Sequence, residues 1–314
     1  MTATDTEGTH MTPTETTTAP GLSRRGVLAG AVLVGASAAV AAPTAALASE
    51  SRARGGEVID VVLEPDALDV PEEVPCGVVT FRVTTPAPAG RSLLLVRLAE
   101  GVTVDHYLQL LRGTGTQDPR ERAEAARAVS AAAHNLGGAV VAANAPAGFS
   151  QVLSSGAYLL VNYGYAGGGP PTVREIRAGG RRWARYPHAP GVIAHRSTSS
   201  GAEFSAWGRL SARGRITVVN TTGTPQEAMI CRVQDGTTSE DVHAYFDALR
   251  QGQQPPVQPI LGRPVGMAPL GADQWGLLHT EFTPGPHVVF SFTVNHETGL
   301  NHALEGMFRL IDLV

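Results

Sequence analysis

The sequence predicts a mainly β protein: two β-sandwich domains in tandem, with short accessory helices. Three observations carry this. One strand–turn–strand–helix pattern occurs twice along the chain. Its apolar segments are short and alternate with a period of two. Turn residues are frequent, with 36 glycines and 22 prolines, and helical stretches are few.

The two copies are read directly from the residues. Residues 77–113 and 214–252 each open with Gly and a period-2 strand: Val79, Phe81 and Val83 in one, Ile216 and Val218 in the other. A turn and a second apolar strand follow. Arg97 and Arg232 fall at matching points of that strand, Gly101 and Gly236 end it, and Thr103 and Thr238 come two residues later. Each copy then enters a helix. In the second copy Val242, Phe246 and Leu249 share a face, and Thr238 or Ser239 can cap it. The copies converge again at residues 156–163 and 285–292, each a turn glycine before a buried strand. The first domain is expected over residues 57–178 and the second over 179–314, with an Arg-rich join at 179–185.

Only the first copy carries an insertion. Asp118 as cap, Pro119 at the first helical position and Glu121 in the first turn start a helix. Ala123, Ala126, Val129, Ala133 and Leu136 recur at helical spacing, and Gly137-Gly138 is its expected stop. Its small alanine face suits packing on a flat surface.

The first 48 residues read as an address. Met1–Pro20 is rich in Thr, carries no apolar period and is expected to be disordered. Arg24-Arg25 then precede an apolar run, Gly26–Ala42, and Ala46-Leu47-Ala48 offers small residues to a signal peptidase. This resembles a twin-arginine export signal, read through Arg24, Arg25, Ala46 and Ala48. The run is 17 residues of mostly Ala, Gly and Val, short against the roughly 20 residues of a membrane span. The mature protein is therefore expected to be secreted, or at least extracytoplasmic, meeting a membrane only during export.

Charge and cysteine content narrow the chemistry. The net charge is −4, and all 24 basic residues are arginine. A chain without lysine has no Schiff-base or P-loop lysine, and a weakly acidic balance argues against nucleic acid as partner. Two cysteines cannot build a cysteine-only zinc site or a disulfide scaffold. Cys76 and Cys231 stand at different points of the repeat, so two separate buried thiols are expected. Seven acids and no arginine lie between Glu57 and Glu73, which reads as a solvated acidic edge.

Three segments carry a family resemblance: Val96-Arg97-Leu98-Ala99-Glu100-Gly101-Val102-Thr103, Gly156-Ala157-Tyr158, and Asn301-His302-Ala303-Leu304-Glu305-Gly306-Met307. They resemble secreted bacterial cupredoxin-like domains of the plastocyanin and azurin kind, over most of both repeats. The resemblance implies a cupredoxin-like β-sandwich in each domain. Copper-binding members hold the metal with two histidines, a cysteine and a weak axial methionine. The resemblance places Arg91 and Gln226 where the first histidine belongs, and Asn162 and Ser291 where the cysteine belongs. Only His302 and Met307 survive, in the second copy. A blue-copper site, and any cofactor, is therefore not expected.

The alternative is metal binding by the C-terminal histidines. His279, His287, His296 and His302 fall in the last 36 residues, interleaved with Glu297, Glu305 and Met307. A copper or zinc site would then use His302, Met307 and His296. Other chemistry is thin: Gly167-Gly168-Gly169 lacks a dinucleotide context, and Ser154-Ser155-Gly156 is no nucleophile elbow. The expected protein is not an enzyme but a secreted binding or structural protein. Its partner would be an extracellular protein, a cell-wall component or a small ligand. A third reading, an exported oxidoreductase, lacks the His-Cys-His run such enzymes need.

Overall fold

Leu93-Leu94-Leu95-Val96 is an unbroken apolar run, and in the computed structural model it lies in a strand buried on both faces. Leu93 and Leu95 enter a core between two sheets; Leu94 and Val96 enter a second core beneath helices. Burial on both sides removes the alternation a half-exposed strand would show. The structure describes residues 57–164, 170–180 and 185–314. The export signal, with Arg24, Arg25, Ala46 and Ala48, lies outside these residues, as do Gly167–Gly169 and the centre of the Arg-rich join.

Residues 57–179 form β1 (Glu57–Leu63), β2 (Leu68–Asp69), β3 (Glu73–Pro75), β4 (Gly77–Thr84), β5 (Arg91–Leu98), α1 (Val104–Gly113), α2 (Pro119–Ala132), β6 (Ala133–Val141), β7 (Ala147–Leu153), β8 (Gly156–Gly164) and β9 (Thr172–Gly179). Residues 191–313 form β10 (Gly191–Thr198), β11 (Gly201–Gly208), β12 (Arg213–Asn220), β13 (Gln226–Val233), α3 (Ser239–Arg250), β14 (Ile260–Leu270), β15 (Trp275–Glu281), β16 (Gly285–Phe290), a 3-10 turn (His302–Glu305) and β17 (Phe308–Leu313). The predicted class holds: the molecule is mainly β with short helices.

The strands build two mixed sheets. One has the order β11-β10-β12-β15-β7-β4-β1-β2, the other β17-β16-β13-β14-β6-β5-β8-β9-β3. The halves repeat one pairing scheme. β1 runs parallel to β4 as β10 does to β12, and β4 antiparallel to β7 as β12 to β15. β5 lies between β6 and β8 as β13 lies between β14 and β16. The halves meet through β6–β14 and β7–β15, so both sheets run unbroken across the seam. Within the second half, at Gly266 of β14, a Cβ would stand 2.1 Å from the Ala228 carbonyl oxygen of β13; only glycine allows these two strands to approach this closely.

The main core lies between the sheets and includes the stacked Phe81 and Phe149, with ring centroids 4.9 Å apart. The second lies between the long sheet and the helices. α3 delivers Val242, Tyr245 and Phe246 to it, capped by Thr238 and Asp241 in a reciprocal capping box. α2 starts as expected, with the Asp118 carboxylate accepting from the Arg120 and Glu121 amides. It ends earlier than its periodicity predicts, at Ala132. Ala133 and Leu136 belong to β6, because pairing with β5 and β14 takes over from helical propensity.

Candidate functional site

The positions where the resemblance puts copper ligands come together at the end of each half, and in neither do they leave a metal-binding set. In the first half Arg91 opens β5 and Asn162 lies on the neighbouring β8. Arg91 Nε donates to Asn162 Oδ1 at 2.6 Å, and Asn162 Nδ2 donates to the carbonyls of Glu64 at 2.7 Å and Ala67 at 3.2 Å. Arg91 Nη2 reaches the Pro65 carbonyl at 3.4 Å. Both side chains are buried. A guanidinium and an amide offer copper no thiolate and no imidazole, so the residues present do not fit the group.

In the second half Gln226 opens β13, Ser291 and Thr293 follow β16, and His302 begins the 3-10 turn. Ser291 Oγ donates to Gln226 Oε1 at 2.8 Å and Thr293 Oγ1 donates to it at 2.9 Å. The opposite edge of the amide, Nε2, reaches Thr224 Oγ1 at 3.1 Å and His302 Nε2 at 2.9 Å. An amide nitrogen donates only, so His302 Nε2 is the acceptor and its proton sits on Nδ1. Burial lowers the His302 pKa to about 4, against a small opposing pull from Glu305. The buried ring is thus neutral, and its Nε2 lone pair is already used. Met307 is buried in the main core, its amide bonded to the His302 carbonyl at 2.9 Å.

His296 belongs to a different contact. Its Nε2 lies 3.2 Å from Ser130 Oγ on α2, and Arg127 of α2 bonds its carbonyl. Arg122 donates to the Gly299 carbonyl and to Asn301 Oδ1, at 3.3 and 3.2 Å. At Gly299 a Cβ would stand 1.9 Å from the Pro119 carbonyl oxygen. The inserted helix of the first half therefore clamps the loop that precedes His302 in the second. Its alanine face packs as expected, while its arginines reach the very loop that carries the C-terminal histidines. Among the described residues no group of three or more His, Cys, Asp or Glu side chains is placed to hold a metal.

The remaining expected positions are scattered. His279 and His287 are not on sheet edges: both are buried in internal strands, His279 Nε2 lying 2.7 Å from Ser150 Oγ. Cys76 and Cys231 are both free; Cys231 is buried against the helices, where desolvation pushes its thiol pKa up, and Cys76 is half-buried.

Two functional-looking residues escape sequence reasoning. Glu227 is buried in β13, its Oε1 accepting from the Phe292 amide at 2.7 Å, and burial raises its pKa to about 7. His195 is wholly buried in β10, with Val219 and Glu227 carbonyls each 3.1 Å from a ring nitrogen. Burial lowers its pKa to about 4, and a neutral ring can donate to only one of the two carbonyls. The signal for both was an ionisable residue bordering an apolar run, Glu227 before Ala228–Cys231 and His195 after Val192–Ala194.

The sequence matches no protein family and no curated protein. Solved structures are similar at low identity. Auracyanin B is 14% identical, covering 39% of this chain and 86% of its own, with a TM-score of 0.23. A multicopper oxidase is 11% identical, covering 82% and 88%, at 0.22. The Cu-containing nitrite reductase from Thermus scotoductus is 12% identical, covering 82% and 61%, at 0.20. At TM-scores this low the likeness goes no further than these figures, and the fold is the mainly β arrangement of two mixed sheets described above.

One expectation is corrected by these neighbours. The chain was expected not to be an enzyme, yet an oxidase and a reductase stand among the structures it is similar to. The physical reason is that a missing thiolate removes one kind of copper centre, not catalysis elsewhere on the fold. Both of those neighbours are copper proteins by name. Among the described residues no helix is long and apolar enough to cross a membrane.

Proposed function

We propose that the chain is exported by the twin-arginine route and acts outside the cytoplasm as a binding protein built from two cupredoxin-like copies, residues 57–178 and 179–314, neither holding a thiolate copper centre. Its partner would be an extracellular protein, a cell-wall component or a small ligand. The observation that supports this reading is the pair of hydrogen-bond networks at the ligand positions. Arg91 with Asn162, and Gln226 with Ser291 and His302, take up the side-chain valences that a copper ion would need. The second reading, copper or zinc held by His302, Met307 and His296, is favoured by the two copper proteins among the structural neighbours.

One experiment tests both. The full chain is expressed in a host with an active twin-arginine system, with copper supplied, beside a variant with Arg24→Lys and Arg25→Lys. The parent is expected in the extracytoplasmic fraction, without an intense blue band and without stoichiometric metal; the variant should stay inside as precursor. Metal that is bound by the parent and lost on His302→Ala would install the second reading.

A further inference from the structure

Arg91 is the one arginine among the described residues that is buried, at 3% exposure. Its guanidinium carries five N–H donors and a permanent charge. Asn162 Oδ1 takes Nε–H at 2.6 Å, and the Pro65 carbonyl takes one Nη2–H at 3.4 Å, a long contact. Neither acceptor is anionic. Asp66 acts on the charge through space, but it is exposed and forms no ion pair with Arg91. Ion-paired arginines elsewhere, such as Arg174 with Glu72 and Arg196 with Glu203, are about half exposed. Arg82, at 19% exposure, also has a carboxylate partner in Asp60; Arg91 is more buried still and has none bonded to it. No nitrogen of Arg91 is both fully buried and unbonded, so the N–H groups without a protein acceptor reach solvent at this end of the half, and a guanidinium held this way is a ready partner for an anion.

The second half shows the alternative. Gln226, at the matching position, is neutral, and both edges of its amide meet protein partners. Nothing there asks for a ligand.

We propose that Arg91 anchors a small-oxyanion site at this end of the first half, taking a carboxylate or a phosphate through the N–H groups that Asn162 and Pro65 leave free. The planar guanidinium matches two oxygens of such an anion in a bidentate pair. Asn162 orients the fork through Nε and is itself fixed by the Glu64 and Ala67 carbonyls. Asp66, in the same turn, opposes an incoming anion and keeps the affinity moderate.

The test is thermal unfolding of the full chain with inorganic phosphate, acetate or malonate at constant ionic strength, with chloride as the control for screening. At a hundredfold excess over Kd, a site on the native state raises Tm by about 5 °C for a protein of this size. Phosphate alone giving the shift identifies a phosphate site; acetate or malonate alone identifies a carboxylate site. Arg91→Gln, which installs the second half's residue and keeps a donor for Asn162, should abolish the shift. Asp66→Asn should tighten binding by about two- to tenfold. No anion-specific shift in the parent, or an undiminished shift in Arg91→Gln, overturns the proposal. Should Arg91→Gln fail to fold, Asp66→Asn decides: unchanged affinity overturns it.

Discussion

The ends of the two halves solve one problem in opposite ways. Each lacks the first imidazole and the thiolate that the family resemblance implies there, and each accommodates buried polar side chains. The second half closes on itself: Gln226, Ser291, Thr293, Thr224 and His302 form a neutral net in which donors meet acceptors. The first half stays electrically open, with a buried guanidinium resting on an amide and a carbonyl. A shared pairing scheme therefore does not impose one arrangement on matching positions. What decides is whether the replacing side chains complete one another.

The largest effect should come from rebuilding the copper centre in each half. Gln226→His with Ser291→Cys restores an imidazole and a thiolate beside His302 and Met307, and copper should then give an intense blue band. The matching pair Arg91→His and Asn162→Cys should give none, because residues 163–179 contain neither histidine nor methionine. Blue colour in both halves would erase the contrast.

A smaller effect separates the networks energetically. Gln226→Leu strands His302 Nε2 and one hydroxyl proton of the Ser291–Thr293 pair, whose oxygens still bond each other, and should cost about 2–6 kcal/mol in chemical denaturation, since each buried group left unpaired costs roughly 1–3 kcal/mol. Arg91→Leu removes a desolvated charge while stranding Asn162, and should cost about 1 kcal/mol or less. Equal losses would show that the first-half charge is better compensated than its partners indicate.

The smallest effect lies in pH. His302 titrates near 4 in the fold against its ordinary 6.5, so its contribution to stability is whole above pH 6.5 and is lost as pH falls toward 4. Glu227, raised from 4.5 to about 7, acts with the opposite sign: its contribution is whole below pH 4.5 and is lost as pH rises through 7. His302→Gln keeps an acceptor for Gln226 and should flatten the acid side of the stability profile by about 1–2 kcal/mol between pH 6.5 and 4. An unchanged profile would assign the acid loss to His195 or His279 instead.

Much of the fold was legible because it is written in local patterns. The Val79-Phe81-Val83 alternation, the Thr238 cap and the turn glycines at 156 and 285 each act over a few residues, and the structure places them in strands, cap and turns as read. The early end of α2 was not legible, because Ala133–Val141 is recruited by strands 35 or more residues away in sequence. The positions facing one another at the site, Arg91 with Asn162 and Gln226 with Ser291, followed from the family resemblance. Their hydrogen bonds did not, since residue types do not reveal which partners complete a donor set. The clamp of α2 on the His296 loop was hidden for the same reason: Arg122 and Asn301 are 179 positions apart.

The seam between the halves carries one more consequence. β6, β7, β14 and β15 are interior strands only because each half supplies the other's neighbour. Cut the chain near residue 185 and each piece would present two bare strand rims with unpaired amides and carbonyls, templates for adhesion between molecules. Separately expressed halves should therefore self-associate or precipitate where the intact chain does not. Any duplication that produced this arrangement would have been hard to reverse, because neither copy can be discarded without exposing the adhesive border of the one that remains.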